Sequence, residues 1–188
     1  MGILDSILGR SKPPAANLDA LFAVPQAALS LAGEGFTATG VGGVCYRAAE
    51  GGAFAETETQ IKQLVATGGG PTIEGTTDRF GFRWLTVTRT DSDVSGLVTD
   101  LHAANASLAD AGFGSALLCS TVVFTTPAKK PMALVYLYKR GTFYPFAPET
   151  DERRDNALEL QVRGLIANDV TVEADLSRWL AIWGAPGL

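Results

Sequence analysis

Two segments rich in β-branched and aromatic residues, residues 115–125 and 132–140, constrain the fold more than any other part of the sequence. A short turn that begins at Pro127 and ends at Pro131 separates them, with Lys129 and Lys130 at its tip. Proline and charged residues are typical of an exposed turn between paired strands. The pattern therefore predicts a hairpin of two antiparallel strands.

Helical patterns alternate with further β-type segments along the chain. Apolar residues at helical spacing predict helices in five regions, which are residues 17–31, 54–65, 94–111, 149–166 and 175–182. Alternating residues predict a hairpin at residues 36–48 and a long strand through residues 80–90. This mixture of hairpins and helices lacks regular βαβ units. It predicts an α+β fold in which an antiparallel sheet of hairpins is covered by helices.

The chain has enough apolar sequence to form one domain without disulfide bonds. Its 188 residues are 46% hydrophobic and only 19% charged, which is typical of a globular protein. We expect the domain at residues 17–188, with a Pro/Ala linker at residues 13–16. A short amphipathic segment at residues 1–12 precedes it. Its apolar face, which we expect to dock on a membrane or a protein partner, consists of Ile3, Leu4, Ile7 and Leu8.

Charge and residue types exclude several function classes. The net charge of −5 opposes nucleic-acid binding, which depends on clustered Lys and Arg. The single histidine cannot form a usual zinc site, and we expect no metal and no cofactor. Cys45 and Cys119 lack metal-ligand spacing and lie in apolar stretches, so we expect reduced, buried core residues. No apolar run approaches the length of a membrane helix.

Residues 94–111 carry two of the three candidates for catalysis. His102 is the sole imidazole available as a base, and Asn105 falls near the apolar stripe of its helix. A buried amide of this kind most often ties its helix to a strand. Cys119 could pair with His102, but the sequence gives no reason for a lowered thiol pKa. We therefore expect no catalytic residues and no enzymatic activity.

Aromatic residues and cations are concentrated in residues 136–146. On a strand, Tyr136, Tyr138 and Arg140 would share one face and form an aromatic ridge that ends in a guanidinium. Such a mixture is typical either of a core strand or of a protein-binding surface, where Tyr and Arg are enriched. We expect protein binding at five residues, which are Tyr136, Tyr138, Arg140, Phe143 and Tyr144.

Several sequence blocks resemble a known family from end to end. They are residues 1–12, 17–22, 138–148, 154–160 and 183–188. In these blocks the chain resembles PspAB, a family of PspA-associated proteins from actinobacteria and archaea. The resemblance implies a link, through gene neighbourhood, with the PspA phage-shock response and with the membrane metalloprotease HtpX. It implies no catalytic residues. The order of elements is also similar to YbjN and type III secretion chaperone-like proteins.

These observations favour a non-enzymatic, partner-binding protein of the PspA-type envelope-stress response. We expect it in the cytoplasm, with reversible contact at the inner face of the cell membrane. Two alternatives remain open. One is an enzyme that uses His102 with Cys119 or Asn105, and the other is a structural protein that self-assembles.

Overall fold

A computed structural model describes residues 16–48, 52–66, 70–90 and 92–188. Its centre is a six-stranded sheet with the order β2-β3-β1-β4-β5-β6, in which every neighbouring pair is antiparallel. The strands are β1 (Thr37–Arg47), β2 (Thr72–Thr77), β3 (Phe82–Thr88), β4 (Leu117–Thr125), β5 (Pro131–Leu137) and β6 (Thr142–Phe146).

Four helices pack on one side of the sheet, which we call the helical face. They are α1 (Val24–Gly33), α2 (Gly52–Ala66), α3 (Val94–Leu108) and α4 (Asn156–Ile166). Buried apolar residues from all four helices join alternate residues of the strands in one core cluster. The predicted α+β fold with an antiparallel sheet is therefore confirmed. No helix within the described ranges is long and apolar enough to cross a membrane.

The central strand β1 corrects the predicted hairpin at residues 36–48. The glycines that suggested a turn lie within one long strand, which pairs with β3 on one side and β4 on the other. Gly40 adopts a φ of +77°, and the pairing with β4 shifts register between Ala38 and Gly42. These glycines therefore form a bulge rather than a turn.

The structure differs from the sequence prediction at three other places in the chain. Strand β5 ends at Leu137 instead of continuing to Arg140, and the chain turns back to form β6, which was not predicted. Strand β2 was also missed, because its polar, mostly exposed residues resemble a loop. At the C-terminus, the predicted helix at residues 175–182 is only a 3₁₀ turn, Leu176–Arg178.

Helix α3 is fixed against the sheet as its sequence suggested. The side chain of Asp93 caps its start by accepting a hydrogen bond from the backbone N–H of Ser95. Asn105 is fully buried, and its Nδ2 donates to the carbonyl oxygen of Leu101 and to Oγ of Ser120, each at 2.8 Å. This confirms that the amide ties α3 to β4.

The close approach of α3 to β1 depends on Gly42. A Cβ at this position would lie 2.8 Å from the carbonyl oxygen of Thr121 and 3.0 Å from a methyl carbon of Leu101. We expect Gly42→Ala to lower the free energy of unfolding by about 1–3 kcal/mol, because a strand or the helix must shift. Urea-induced unfolding of the two purified proteins measures this change.

Gly164→Ala is the matched control. This glycine lies exposed on α4, where an added Cβ meets nothing within 4 Å. We expect this substitution to raise the free energy of unfolding by up to about 1 kcal/mol, because alanine favours a helix. Equal destabilisation by both substitutions would contradict the close packing of α3 on β1.

Candidate binding cleft

The side of the sheet opposite the helices, which we call the second face, is also apolar. A second core cluster forms there from all four interior strands and from the edge strand β6. Its buried strand residues are Cys45, Trp84, Cys119, Ala133, Val135, Tyr144 and Phe146. Among the described residues, the cover that packs on them comes from Val172 and from residues 179–188, which we call the C-terminal segment.

Aromatic contacts and hydrogen bonds hold the C-terminal segment in place. Trp179 stacks on Tyr144 with ring centroids 5.9 Å apart, and the Tyr144 hydroxyl donates to the carbonyl oxygen of Leu180 at 2.8 Å. Arg154 donates to the carbonyl oxygen of Trp179 and, at 2.9 Å, to Oε1 of Glu159. Trp183 contacts the ring of Phe146 edge-on at 5.0 Å. The segment is therefore an irregular chain with two turns, held in place by its tryptophans.

The buried carboxylate of Glu173 holds the chain just before this segment. It accepts hydrogen bonds from Arg140, from the hydroxyl of Thr142 at 2.8 Å and from the backbone N–H of Asp175 at 3.1 Å. Burial alone would raise the pKa of Glu173, but these hydrogen bonds outweigh it, so the pKa is lowered. Glu173 therefore stays ionised, and its backbone carbonyl accepts a hydrogen bond from Nε1 of Trp179 at 3.0 Å.

A cleft of about 440 Å³ remains where the C-terminal segment leaves the second face uncovered. Its lining is mainly aromatic and aliphatic, and consists of Cys45, Arg47, Phe80, Phe82, Trp84, Leu118, Cys119, Leu137, Tyr144, Leu180, Ala181, Ile182 and Trp183. Three of its large apolar side chains are exposed to solvent, namely Leu180 at 62%, Phe80 at 54% and Phe82 at 37%. Exposed apolar residues grouped around an apolar cleft are typical of a protein-binding site.

Polar groups are few at this cleft. Arg47 is exposed, and Nε1 of Trp84 donates to Asp78 at 3.0 Å. Cys45 and Cys119 are buried, unpaired cysteines, as the sequence predicted. A hydrogen bond with Cys119, together with burial, raises the pKa of Cys45. The cleft therefore offers apolar surface with one cation.

The five residues predicted to bind protein lie in β5, in β6 or in the turn between them, and most are buried. Tyr136 and Phe143 pack together on the helical face, with ring centroids 5.1 Å apart, while Tyr144 lies on the second face. Tyr138 is buried as well, and Arg140 lies in the turn beyond β5, where it pairs with Glu173. Tyr136 and Tyr138 therefore share the helical face as predicted, whereas Arg140 lies beyond the end of β5 and does not extend their row along the strand. Protein binding by these residues stays a prediction, and Tyr144 alone reaches the cleft.

The structure does not bring together the residues of the catalytic alternative. On α3, Nε2 of His102 lies 3.3 Å from Oδ1 of Asp19, and its ring is tilted against the ring of Phe22 with centroids 4.8 Å apart. Cys119 faces the cleft on the second face, so the sheet separates it from His102. Asn105 is enclosed between α3 and β4. Within the described ranges, no group of three or more His, Cys, Asp or Glu residues could hold a metal ion.

Comparison with known proteins assigns the family. The family model described as PspA associated protein B matches residues 1–187. The chain belongs to this family. No curated protein and no solved structure matched the chain. The similarity to type III secretion chaperone-like proteins therefore stays a prediction.

Membership of the PspAB family associates the chain with PspA, as its sequence blocks implied. The match also includes the N-terminal segment with Ile3, Leu4, Ile7 and Leu8. That segment lies outside the described residues, and so does all but the last residue of the predicted linker. The proposed boundaries at residues 12 and 16 stay predictions.

Sequence reasoning missed the cleft because it assigned residues 80–90 to a strand and residues 175–182 to a helix, and neither pattern indicates that the two segments meet. The alternation of Phe80, Phe82 and Trp84 predicted a strand, but it did not indicate which of the three rings would be exposed. The C-terminal run from Trp179 to Trp183 looked helical, although Gly184, Pro186 and Gly187 follow it closely. Two tryptophans just ahead of these helix-breaking residues were the available signal for an irregular segment that covers the sheet.

Glu173→Gln tests how firmly the C-terminal segment is attached. The substitution weakens the charge-assisted bond to Arg140 without changing the size of the side chain. We expect amide hydrogen exchange in residues 173–188 to become about tenfold faster at pH 7, the effect of losing one charged hydrogen bond. Hydrogen–deuterium exchange read by mass spectrometry measures it. Glu152→Gln is the control. Glu152 pairs with Arg79, and both side chains are more than half exposed, so this substitution should leave the exchange of residues 173–188 unchanged.

The same carboxylate predicts a pH dependence. The pKa of Glu173 lies below its ordinary value of 4.5. The stabilisation that the ionised Glu173 carboxylate gives to the attached segment is therefore fully present above pH 4.5. It is lost as the pH falls through the lowered pKa. We expect protection of residues 173–188, corrected for intrinsic exchange rates, to fall in acid in the wild type. The fall should be smaller in Glu173→Gln, and an equal fall in both would contradict this role.

Proposed function

We propose that the protein is a non-enzymatic partner-binding protein of the PspA-type envelope-stress response, and that its cleft holds an apolar segment of a protein partner. The observation that supports the proposal is the incompletely covered second face. Burial of apolar surface there would stabilise a complex by roughly 25 cal/mol per Å² before the costs of association are subtracted. Exposed Phe80, Phe82 and Leu180 provide the surface that a partner would cover.

The C-terminal segment is an internal example of the kind of ligand that suits this face. It has no regular secondary structure, its anchors are Trp179 and Trp183, and its backbone is held by side chains of the neighbouring structure. A partner segment beside it would extend the same apolar layer. We expect such a segment to carry aromatic or aliphatic anchors, with an acidic residue placed to pair with Arg47.

A binding role also agrees with the arrangement of reactive groups. His102, Asn105 and Cys119 lie in three separate surroundings, so they do not combine as a nucleophile, base and orienting group. Self-assembly through the same cleft is the remaining alternative. It predicts concentration-dependent dimers of the isolated protein, which size-exclusion chromatography with light scattering would detect.

Leu180→Asp tests the cleft without disturbing its walls. The Leu180 side chain is 62% exposed, and its backbone carbonyl still accepts the hydrogen bond from Tyr144 after substitution. We expect the affinity for the purified PspA-type protein of the same organism to fall at least tenfold, because a carboxylate would enter an apolar contact. Isothermal titration calorimetry measures the dissociation constant.

Leu64→Asp is the matched control. This leucine is 57% exposed on α2, on the helical side of the sheet. It should leave the affinity unchanged. If both substitutions weaken the affinity equally, or if neither weakens it, the partner binds outside the cleft.

We also propose reversible contact with the inner face of the cell membrane through Ile3, Leu4, Ile7 and Leu8. The apolar pattern of these residues supports it, together with Arg10 and Lys12, which would each add about 1 kcal/mol near anionic lipid. In flotation with anionic vesicles, the full chain should rise with the lipid and a shortened chain that starts at Ala15 should not. Equal behaviour of the two chains would remove the membrane contact and leave protein docking.

A further inference from the structure

The two cysteines of the chain lie directly opposite each other in the sheet. Cys45 of β1 and Cys119 of β4 are register partners, and both side chains belong to the core cluster of the second face. Directly opposed residues of antiparallel strands have Cα atoms about 4.5–5.5 Å apart. Disulfide bonds span Cα distances of about 4.4–6.8 Å. The strand pairing therefore already holds the two cysteines at a separation that a disulfide requires.

The cleft gives this pair a route to solvent. Both cysteines form part of its lining, although their exposed fractions are only 4% and 6%. The side chains around them include Trp84, Leu118 and Leu137, which carry no competing nucleophile. A small uncharged oxidant such as hydrogen peroxide can enter an apolar space of this size, whereas a folded protein disulfide cannot.

We propose that Cys45 and Cys119 form an oxidative modification site, at which hydrogen peroxide entering through the cleft produces a cross-strand disulfide. In the first step, one thiol loses its proton, the thiolate attacks a peroxide oxygen and the O–O bond breaks, which gives a cysteine sulfenic acid and a hydroxide that takes up the released proton to form water. In the second step, the other thiol loses its proton and its sulfur attacks the sulfenic sulfur, so that the S–S bond forms, the S–O bond breaks, and the leaving hydroxide takes up that proton as a second water. Two thiols lose two electrons and two protons, and one peroxide is reduced to two waters. A dithiol such as dithiothreitol reverses the change.

The chemistry of the site fits slow, selective oxidation. As register partners whose side chains both lie on the second face, the two thiols are neighbours across the strand pair. A hydrogen bond with Cys119 and burial raise the pKa of Cys45, which lowers the thiolate fraction and makes the oxidation slow. Because β1 and β4 are already paired, the disulfide leaves the fold unchanged while it closes a long loop of chain. The inference does not depend on which molecule occupies the cleft.

Mass spectrometry of the full-length native protein tests the site. Treatment with a small excess of hydrogen peroxide should lower the intact mass by two hydrogens in a monomeric chain. Digestion without reductant should then give one peptide pair joined through Cys45 and Cys119. Dithiothreitol should restore the original mass. We also expect the oxidised protein to unfold at a temperature about 5 °C or more above the reduced protein, because the unfolded chain is constrained.

Cys45→Ser and Cys119→Ser are the matched variants. Each keeps one thiol, which should accumulate as a sulfenic acid that dimedone traps, with no loss of two hydrogens. The proposal is overturned if both wild-type thiols remain open to alkylation after peroxide treatment. It is also overturned if each is oxidised separately to a sulfinic acid, or if only chains linked to one another appear. Should either variant fail to fold, the wild-type mass measurement decides the question alone.

Discussion

Burial of two apolar sheet faces is the constraint on which the rest of this structure depends. Strands β5 and β6 point apolar side chains to both sides, so neither face can be left in water without a large free-energy cost. Four helices cover one face, whereas the described cover of the other comes from the chain after α4, mainly residues 179–188. A segment of this length cannot cover a six-stranded sheet. The cleft is the part of the second face that it leaves uncovered.

Buried carboxylates paired with arginines join the separate parts of the fold. Glu58 of α2 accepts two hydrogen bonds from Arg83 of β3, at 2.8 and 2.7 Å, and one from the Tyr46 hydroxyl of β1 at 2.5 Å. Glu159 pairs with Arg154, and Glu173 with Arg140, at the two places where the C-terminal part of the chain meets the sheet. A buried charge without a partner would be costly, so each pair depends on the correct neighbouring element. Irregular parts of the chain are thereby fixed without secondary structure of their own.

The sequence predicted those features that local pattern determines. The Pro127–Pro131 turn, the stripe of α3 and the burial of Asn105 follow from spacing and residue type, and the structure contains all three. The single strand β1 could not be predicted, because glycines are equally typical of a turn and of a bulge inside a strand. Local sequence pattern could not predict the cleft either, because the exposure of Phe80 and Leu180 depends on how much of the second face the C-terminal segment covers. The burial of Tyr136 and Phe143 similarly required knowledge of which side the helices cover.

The positions of the tryptophans give the molecule an optical property. The sequence contains three, and Trp84, Trp179 and Trp183 all belong to the layer on the second face, whereas the core beneath the helices contains none. Intrinsic tryptophan emission therefore reports on this layer alone. Trp84 and Trp183 both line the cleft, so molecules that enter it will shift or quench their signal without any attached dye. Rearrangements confined to the helices would leave that emission almost unchanged, so a single spectrum can distinguish events on the two sides of the sheet.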